Sequence, residues 1–416
     1  MPHLRRNLCL YTLVVLLSPH VACGEEAVDS SGKRFRGTLM HKKDAWVFQT
    51  DQGKEISLKH LAYVHFEPAS ALLPKVRLTT SLLLPHGQRL TGSLVGVREK
   101  TVEFTASSGT SYTLAREQLV GLVHANDWLP ILSDDFAAPL KGWKLEGNPV
   151  HDPKVLLFGK TSLRLDAESR LSREWPKLSR DHRIQVYFCC APKPSSTRWT
   201  LEAILSTPVD TLPNLVIEGG KMHCANVREA FGSLETKSSW HGLSIERHGE
   251  NLRFYVDDFC LGQTSLPRGT GIKGVRISSG KGEGSLWLDA FTLSERLPPI
   301  PMPSNDTDQD FIWLRQGEQL FGRIVTADRG AVVLDAKFGK RSFTWKHLRG
   351  IGFANTKPIP PGEAVVDFRP GSGFVLDCLH AKLIRWQDMN LIVQHSLFGE
   401  VAIERERLAK IRFEAK

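Results

Sequence analysis

The sequence predicts an all-β protein in which a central β-sandwich, a jelly roll, is flanked on each side by two small β-barrel-like repeats. Two patterns support this: four similar segments of alternating apolar residues at the ends, and regularly spaced strand patterns in the middle. A third observation is the absence of long runs with helical period, beside 34 Gly and 23 Pro in 416 residues. That composition indicates many turns and little helix.

The four end segments each begin with a small residue that has one apolar residue two positions before it and another two positions after it. The small residues are Gly37, Gly92, Gly322 and Ala381. An alternating apolar pair, a turn glycine, a second pair and a closing apolar strand follow in each. Alternation places each pair on one face of a strand, and the glycine suits a hairpin. We expect short meanders that curl into small barrels, with a bulge or bend at the small residue and adjacent repeats acting together.

These segments resemble the small barrels of the Sm-like type in their first strand, long hairpin and closing strand. The resemblance covers roughly residues 30–125 and 312–414. It implies a barrel for each repeat.

Residues 128–297 have strand patterns at about ten-residue intervals, including an expected strand at Lys154–Phe158. Their motifs are Asp134-Asp135-Phe136, Gly142-Trp143, the hairpin that ends in Phe254-Tyr255-Val256-Asp257, and a final strand over Leu286–Leu293. At these residues the region resembles concanavalin A-like lectin and glucanase jelly rolls, including a bacterial domain of the 3-keto-disaccharide hydrolase type. The resemblance implies a sugar or another extracellular polymer as ligand, although a fold alone does not determine function.

Proline-rich and polar stretches place the domain boundaries. The expected organisation is a signal peptide at 1–23, repeats at 24–70 and 71–127, the sandwich at 128–297, a Pro-rich linker at 298–310, and repeats at 311–357 and 358–416.

The start of the chain has the order of a secretory signal: basic residues, a short apolar run over 8–17, then small residues before Cys23. We expect an extracytoplasmic protein, periplasmic or secreted, without a transmembrane segment. Val21-Ala22-Cys23 partly resembles a bacterial lipobox, but His20 stands where that motif wants Leu. Lipidation at Cys23 and simple cleavage remain alternatives.

Five further cysteines follow, an odd number without metal-ligand spacing, which favours small buried thiols over a complete disulfide framework.

The formal net charge of +9 suits acidic polymers or cell-envelope phosphate as partners, with a general role in surface solubility as the alternative. Nucleic acid is not expected, because the basic residues are dispersed and the protein is predicted to be exported. The sequence identifies no protein partner.

Catalysis is not expected, although the sequence does not decide the question. A glycosidase needs two carboxylates across the scissile bond, and the glucanases of this fold place them on one strand as Glu-x-Asp-x-(x)-Glu. That pattern is missing. The central acids are scattered at Glu202, Glu218, Glu229, Glu235 and Glu246.

Two pairs of residues are candidate site residues. Trp199 and Trp240 are candidate aromatic faces for a polysaccharide, with a position in the core as the alternative. Asp135 and Asp289 are candidate ligands for calcium, with strand-end carboxylates as the alternative, and no other cofactor is expected.

The leading hypothesis is an exported, non-catalytic protein that binds a glycan or other extracellular polymer through the sandwich. A structural or assembly scaffold of the cell envelope is the first alternative. A saccharide-acting hydrolase is the second.

Overall fold

The computed structural model describes residues 25–43, 45–66, 73–124, 128–136, 139–176, 178, 181–190, 198–206, 213–235, 239–257, 259–282, 284–297, 308–354, 356–371 and 375–413. These residues form β-strands and single-turn 3-10 helices but no α-helix. In this part of the chain no helix has the length and hydropathy to cross a bilayer. The predicted signal (1–23) and residues 298–307 of the predicted linker lie outside the described residues. The all-β fold class is confirmed.

Two five-stranded units precede the sandwich. Unit 1 contains β1 (Glu25–Asp29), β2 (Arg34–Lys42), β3 (Ala45–Thr50), β4 (Glu55–Ser57), a 3-10 helix (Leu58–His60) and β5 (Leu61–Phe66). Unit 2 contains β6 (Thr80–Leu83), a 3-10 helix (Pro85–Gly87), β7 (Arg89–Val97), β8 (Thr101–Ala106), β9 (Ser111–Ala115), a 3-10 helix (Arg116–Gln118) and β10 (Gly121–His124).

The sandwich consists of a nine-stranded and a seven-stranded sheet. The first contains β11 (Trp128–Asp134), β13 (Val150–Asp152), β14 (Ser162–Leu165), β16 (His182–Cys190), β20 (Glu229–Ala230), β22 (Trp240–His248), β23 (Asn251–Val256), β24 (Phe259–Ser265) and β26 (Leu286–Arg296). The second contains β12 (Lys144–Glu146), β15 (Arg170–Glu174), β17 (Trp199–Leu205), β18 (Asn214–Glu218), β19 (Lys221–Ala225), β21 (Ser233–Glu235) and β25 (Ile272–Ser279).

Two more five-stranded units follow the sandwich. Unit 3 contains β27 (Asp310–Leu314), β28 (Gln319–Ala327), β29 (Ala331–Ala336), β30 (Gly339–Thr344), a 3-10 helix (Trp345–His347) and β31 (Leu348–Gly352). Unit 4 contains β32 (Ala364–Phe368), β33 (Asp377–Gln387), β34 (Asn390–His395), β35 (Gly399–Glu404), a 3-10 helix (Arg405–Arg407) and β36 (Leu408–Phe413).

The same ladder connects the strands of every unit. The second strand pairs with the first and third, the third with the fourth, and the first also with the fifth. In each case the small residue lies opposite the first residue of the first strand. These pairs are Glu25 with Gly37, Thr80 with Gly92, Asp310 with Gly322, and Ala364 with Ala381. The four units therefore share one register.

The small residue of the second strand permits a close backbone approach. A Cβ atom at Gly92 would overlap the carbonyl oxygen of Thr105 on the next strand. The bulge that we expected at this residue lies three residues later in unit 2, where the register of β7 against β8 shifts between Leu94 and Gly96. The shift follows the end of the β6–β7 ladder at Gly92. Units 3 and 4 have the same shift, whereas the β2–β3 ladder of unit 1 has none.

Strand ladders also join the units, but not in the pairs that sequence order suggested. The last strand of unit 2 pairs with the last strand of unit 3, with Leu122 opposite Ile351. The last strands of units 1 and 4 pair in the same way, with Val64 opposite Ile411. Units from opposite ends of the chain therefore form the edge-to-edge ladders, and one hydrophobic core runs through all four units.

An internal two-fold relation links units 1 and 2 to units 3 and 4. It is visible where β7 meets β33, because equivalent residues, Arg89 and Cys378, lie opposite each other. The backbone amide of Thr91 donates to Asp377 Oδ2 at 2.9 Å. In the equivalent contact the amide of His380 donates to Gln88 Oε1 at 2.7 Å.

Two equivalent contacts between a buried carboxylate and an arginine fasten the edge-to-edge contacts. Arg116 opens the last 3-10 helix of unit 2 and binds the carboxylate of Asp310, which opens unit 3. Arg405 of unit 4 binds Glu25 of unit 1 in the same way. Asp310 also accepts the amide of Ile324 at 2.8 Å. Each carboxylate thus holds the second strand of its own unit and an arginine of another.

The sandwich has its own core, formed by the inward residues of both sheets. All five cysteines that the structure describes are free thiols. Burial raises the pKa of Cys190 and of Cys224 to about 12, so both thiols stay protonated at neutral pH. Small buried thiols, the interpretation that the sequence favoured, describe them better than a disulfide framework.

Replacing Gly92 with Ala should destabilise unit 2 by about 1–3 kcal/mol, because the new methyl group would overlap a backbone carbonyl. Unit 4 tolerates Ala381 because the β33–β34 ladder begins only at Lys382. Urea unfolding measures the loss. Gly96→Ala is the control, since a Cβ there would meet its nearest neighbour at an ordinary 3.6 Å. Equal losses for the two variants would refute the close-approach explanation.

Replacing Asp310 with Ala should lower the free energy of unfolding by roughly 3–5 kcal/mol, because it leaves the buried guanidinium of Arg116 without its partner. The control is Glu400→Ala, which breaks the exposed pair with Arg385 and should cost less than about 1 kcal/mol. Chemical denaturation of both variants decides, and a small loss for Asp310→Ala would contradict the proposed fastening.

The stability of the flanking units should depend on pH through Asp377. Burial raises the pKa of this carboxyl to about 7 in the folded chain, against about 3.9 when unfolded. The folded state therefore keeps a proton that the unfolded state releases, and stability should fall as pH rises from about 4 to 7. In Asp377→Asn this fall should be smaller. Asp51→Asn, at an exposed turn, serves as control. Thermal melts across that range test this, and an unchanged pH slope in Asp377→Asn would sink the assignment.

Candidate functional site

A cleft lies where units 2 and 3 meet the sandwich. Its wider part, about 400 Å³, is lined by residues of β6, β7 and β10, by β11 of the sandwich, and by the last 3-10 helix of unit 3. A narrow extension of about 50 Å³ continues along β16 and β26. Arg77, Thr79, Pro130 and Ser133 line both parts, so the two form one continuous site.

Arg77, in the segment before β6, anchors the cleft to the sandwich. Its Nη2 donates to the carbonyl of Phe291 at 3.1 Å and to Thr292 Oγ1 at 2.7 Å. The carbonyl is presented at a bulge of β26, where the register against β16 shifts and Ala290 has a φ of 49°. Burial lowers the pKa of Arg77, while Tyr187, Asp135, Asp289 and Asp134 act in the opposite direction. The guanidinium stays charged, and an anion beside it would stabilise that charge further.

Trp345 forms an aromatic wall of the cleft. Its Nε1 donates to the carbonyl of Asp328 at 2.7 Å, and its ring meets His124 edge-on at 5.7 Å between centroids. Burial lowers the pKa of His124, so the neutral ring donates from Nε2 to the Trp345 carbonyl at 3.0 Å. The indole is therefore held in place from two sides.

Arg329 and Lys346 supply exposed positive charge at the opening. The loop that carries Arg329 is shaped by Asp328, whose Oδ1 accepts the amides of Gly330 at 2.7 Å and Ala331 at 2.9 Å. Within the described ranges neither cation has an acidic group within ion-pair distance. Both therefore remain available to an external anion.

The lining of the whole cleft is cationic and hydroxyl-rich. Arg183 adds a further guanidinium in the narrow part, where it is hydrogen-bonded to Ser244 and lies 3.5 Å from Glu246. No aspartate or glutamate lines the cleft in the part of the chain that the structure describes. Hydroxyl groups come from Thr79, Thr80, Ser93, Ser133, Tyr187, Thr292 and Ser294. This combination suits a ligand with both negative charge and hydrogen-bonding groups.

The two tryptophans nominated from the sequence lie outside this cleft. Trp199 is only 2 % exposed and belongs to the sandwich core, so it serves packing rather than ligand contact. Its alternation with Leu201 and Ala203, both core residues, carried that signal. Trp240 is half-buried at the start of β22, opposite Cys189.

The two candidate calcium ligands have different surroundings. Asp135 is exposed, whereas Asp289 is fully buried and accepts the amides of Leu157 and Phe158 at 3.0 and 2.9 Å. Over the described ranges no group of three or more metal-ligating side chains comes together. This arrangement does not fit the six to eight oxygen ligands of calcium. The buried Asp289 instead anchors the segment at 157–158.

Asp134, next to the nominated Asp135, explains the aspartate and tryptophan motifs. Its carboxylate accepts Nε1 of Trp143 at 2.9 Å and Nη1 of Arg173 at 2.8 Å. It thereby fixes the tryptophan against the core.

Along its described strands, the outer face of the seven-stranded sheet presents no aromatic platform. Trp199 is the only tryptophan, tyrosine or phenylalanine on β17, β18, β19 and β25, and it points inward. Glu202 on this face pairs with Arg276 at 3.3 Å. The structure therefore favours the cleft over this face as the binding site.

Sequence reasoning missed the cleft because its residues are remote along the chain. Arg77 precedes unit 2, while Arg329 and Lys346 belong to unit 3. The excess positive charge was the one available signal, and it gave no location.

Comparisons with known proteins were made by sequence and by structure. No family model and no curated protein matches the chain. Similar solved structures include a cellulose-induced protein at 8% identity, which covers 39% of this chain and 96% of the other with a TM-score of 0.33. The laminarinase from Rhodothermus marinus is similar at 11% identity over 42% and 99%, with a TM-score of 0.31. A xylan-binding domain from Paenibacillus barcinonensis is similar at 17% identity over 42% and 98%, with a TM-score of 0.25.

Proposed function

We propose that this protein is an exported, non-catalytic binding protein that holds an acidic polysaccharide in the cleft between units 2 and 3 and the sandwich. One observation carries the proposal: cationic side chains, hydroxyls and a fixed indole converge there without a lining carboxylate. Guanidinium groups form strong, geometrically specific hydrogen bonds with carboxylates and sulfates.

A polysaccharide suits the cleft better than a small inorganic anion. Trp345 provides an apolar wall of the kind that binding sites use beside a few polar groups. The wider part, about 400 Å³, exceeds the size of a single phosphate group and opens to solvent beside the exposed Arg329 and Lys346. Charged sugar rings carry both carboxylates and hydroxyls, which the cationic and hydroxyl-bearing side chains of the cleft can bind.

Among the described residues that line the cleft there is no pair of carboxylates of the kind that glycoside hydrolysis requires. The scattered acids of the sandwich include Glu202 and Glu246, which are paired with Arg276 and Arg183. These contacts support binding without turnover.

Titration calorimetry with an oligogalacturonate, compared with a neutral β-glucan oligosaccharide, tests the proposal. The acidic ligand should bind and weaken with added salt. The double variant R329A/K346A should bind at least about tenfold more weakly, since each lost charge-assisted hydrogen bond is worth roughly 1.5–3 kcal/mol. The oligosaccharide recovered afterwards should have its original length.

The matched control is K340A/R341A, which removes the same charge from exposed positions of β30 in the same unit. It should leave affinity nearly unchanged. Equal losses in both double variants would indicate diffuse surface attraction and overturn the site. Equal affinity for the neutral ligand would overturn the ligand class, and shortened products would overturn the non-catalytic assignment.

A further inference from the structure

Units 2 and 4 contact each other through the beginning of their second strands. Asp377 and Gln88 are equivalent residues, and each accepts the amide of the residue three positions after its counterpart: Thr91 in unit 2 and His380 in unit 4. Thr91 is 1 % exposed and Asp377 fully buried. The beginning of the second strand is therefore a contact edge in units 2 and 4, where the side chain of Gln88 or Asp377 supplies an accepting oxygen.

The same edge is exposed in units 1 and 3. By the common register, Lys33–Arg36 of unit 1 and Glu318–Phe321 of unit 3 correspond to the paired edges. Lys33, Arg36, Glu318 and Phe321 are exposed. Glu318 retains an acceptor at the position of Asp377 and Gln88. The side chain of Lys33 has no hydrogen-bond acceptor. Of the two exposed edges, only that of unit 3 therefore retains an acceptor for this contact.

Unit 3 also has an apolar surface beside this edge. Phe321 and Phe338 are 44 % and 48 % exposed, and they line an open groove of about 710 Å³. Unit 1 has Arg36 and Gln52 at the equivalent positions. Exposed phenylalanines beside an unpaired edge are typical of protein interfaces.

The groove carries both signs of charge, with Arg323 and Lys337 on one hand and Asp335 and Asp308 on the other. A surface that contacts its own copy across a two-fold axis must be self-complementary, and this mixture meets that requirement. A partner whose surface carries charge of one sign would place like charge against two of these four side chains.

We propose that the edge Glu318–Phe321 pairs with the same edge of a second copy of this chain, forming a two-fold dimer. Glu318 of each copy accepts the Phe321 amide of the other, as Asp377 and Gln88 accept Thr91 and His380 within one chain. The two Gln319 residues then lie opposite each other, as Arg89 lies opposite Cys378. The four phenylalanines cover the two grooves.

Sedimentation equilibrium of the full chain tests this pairing. The wild type should show twice the monomer mass at about 20 µM, well above a dissociation constant of about 1 µM. The double variant E318K/F321R gives unit 3 the residues that unit 1 already carries at these positions, and it should be monomeric while still melting cooperatively. Met389→Arg, at an exposed residue of unit 4, is the control and should remain dimeric.

A cross-link tests the register independently of variant stability. Gln319→Cys should give a disulfide-linked dimer under mild oxidation, because residues directly opposite in antiparallel strands lie within disulfide range. Lys340→Cys, exposed on the same unit, should not. A monomeric wild type, a dimer that survives E318K/F321R, or equal cross-linking of both cysteine variants would each overturn the proposal.

Discussion

The arrangement of the four flanking units depends on a buried carboxylate at the first residue of units 1 and 3. Glu25 and Asp310 each bind an arginine of another unit, while a backbone amide of their own second strand completes the contact. Since a buried polar group without its partner is costly, separating the units would require these carboxylates to become exposed or to remain buried without a partner. The ladders between last strands and the shared core hold the same units together.

The cleft is a consequence of the same fastening. Unit 3 supplies Trp345, Arg329 and Lys346, whereas Arg77 and His124 come from the other side of the sandwich in sequence. The contact between Arg116 and Asp310, the ladder between the last strands of units 2 and 3 and the shared core bring these halves together. The proposed binding site is therefore a property of the assembled chain, not of the isolated sandwich from which polymer binding was first expected.

Much of the fold follows from local pattern. Alternation and turn glycines predicted the strands of all four units, because one buried face and a two-residue period leave few other solutions. The sequence pattern predicted the wrong local structure where tertiary contacts determine the backbone conformation. Residues 154–158 were expected to form a strand, but the amides of Leu157 and Phe158 bind the buried Asp289. Asp134, not Asp135, binds Trp143. The sequence pattern does not distinguish which of two adjacent carboxylates faces the core.

The ladder between the first and last units also sets an order of events in folding. Glu25 and Arg405 are 380 residues apart in the chain, so their contact has a high loop-closure cost and forms late. During synthesis unit 1 emerges with its last strand uncovered and its carboxylate unpaired, and it waits until nearly the whole chain has followed. The sandwich, with its own core, is complete well before then. A chain cut short after the sandwich would expose the unpaired strand edges of units 1 and 2, which makes truncated products prone to aggregation.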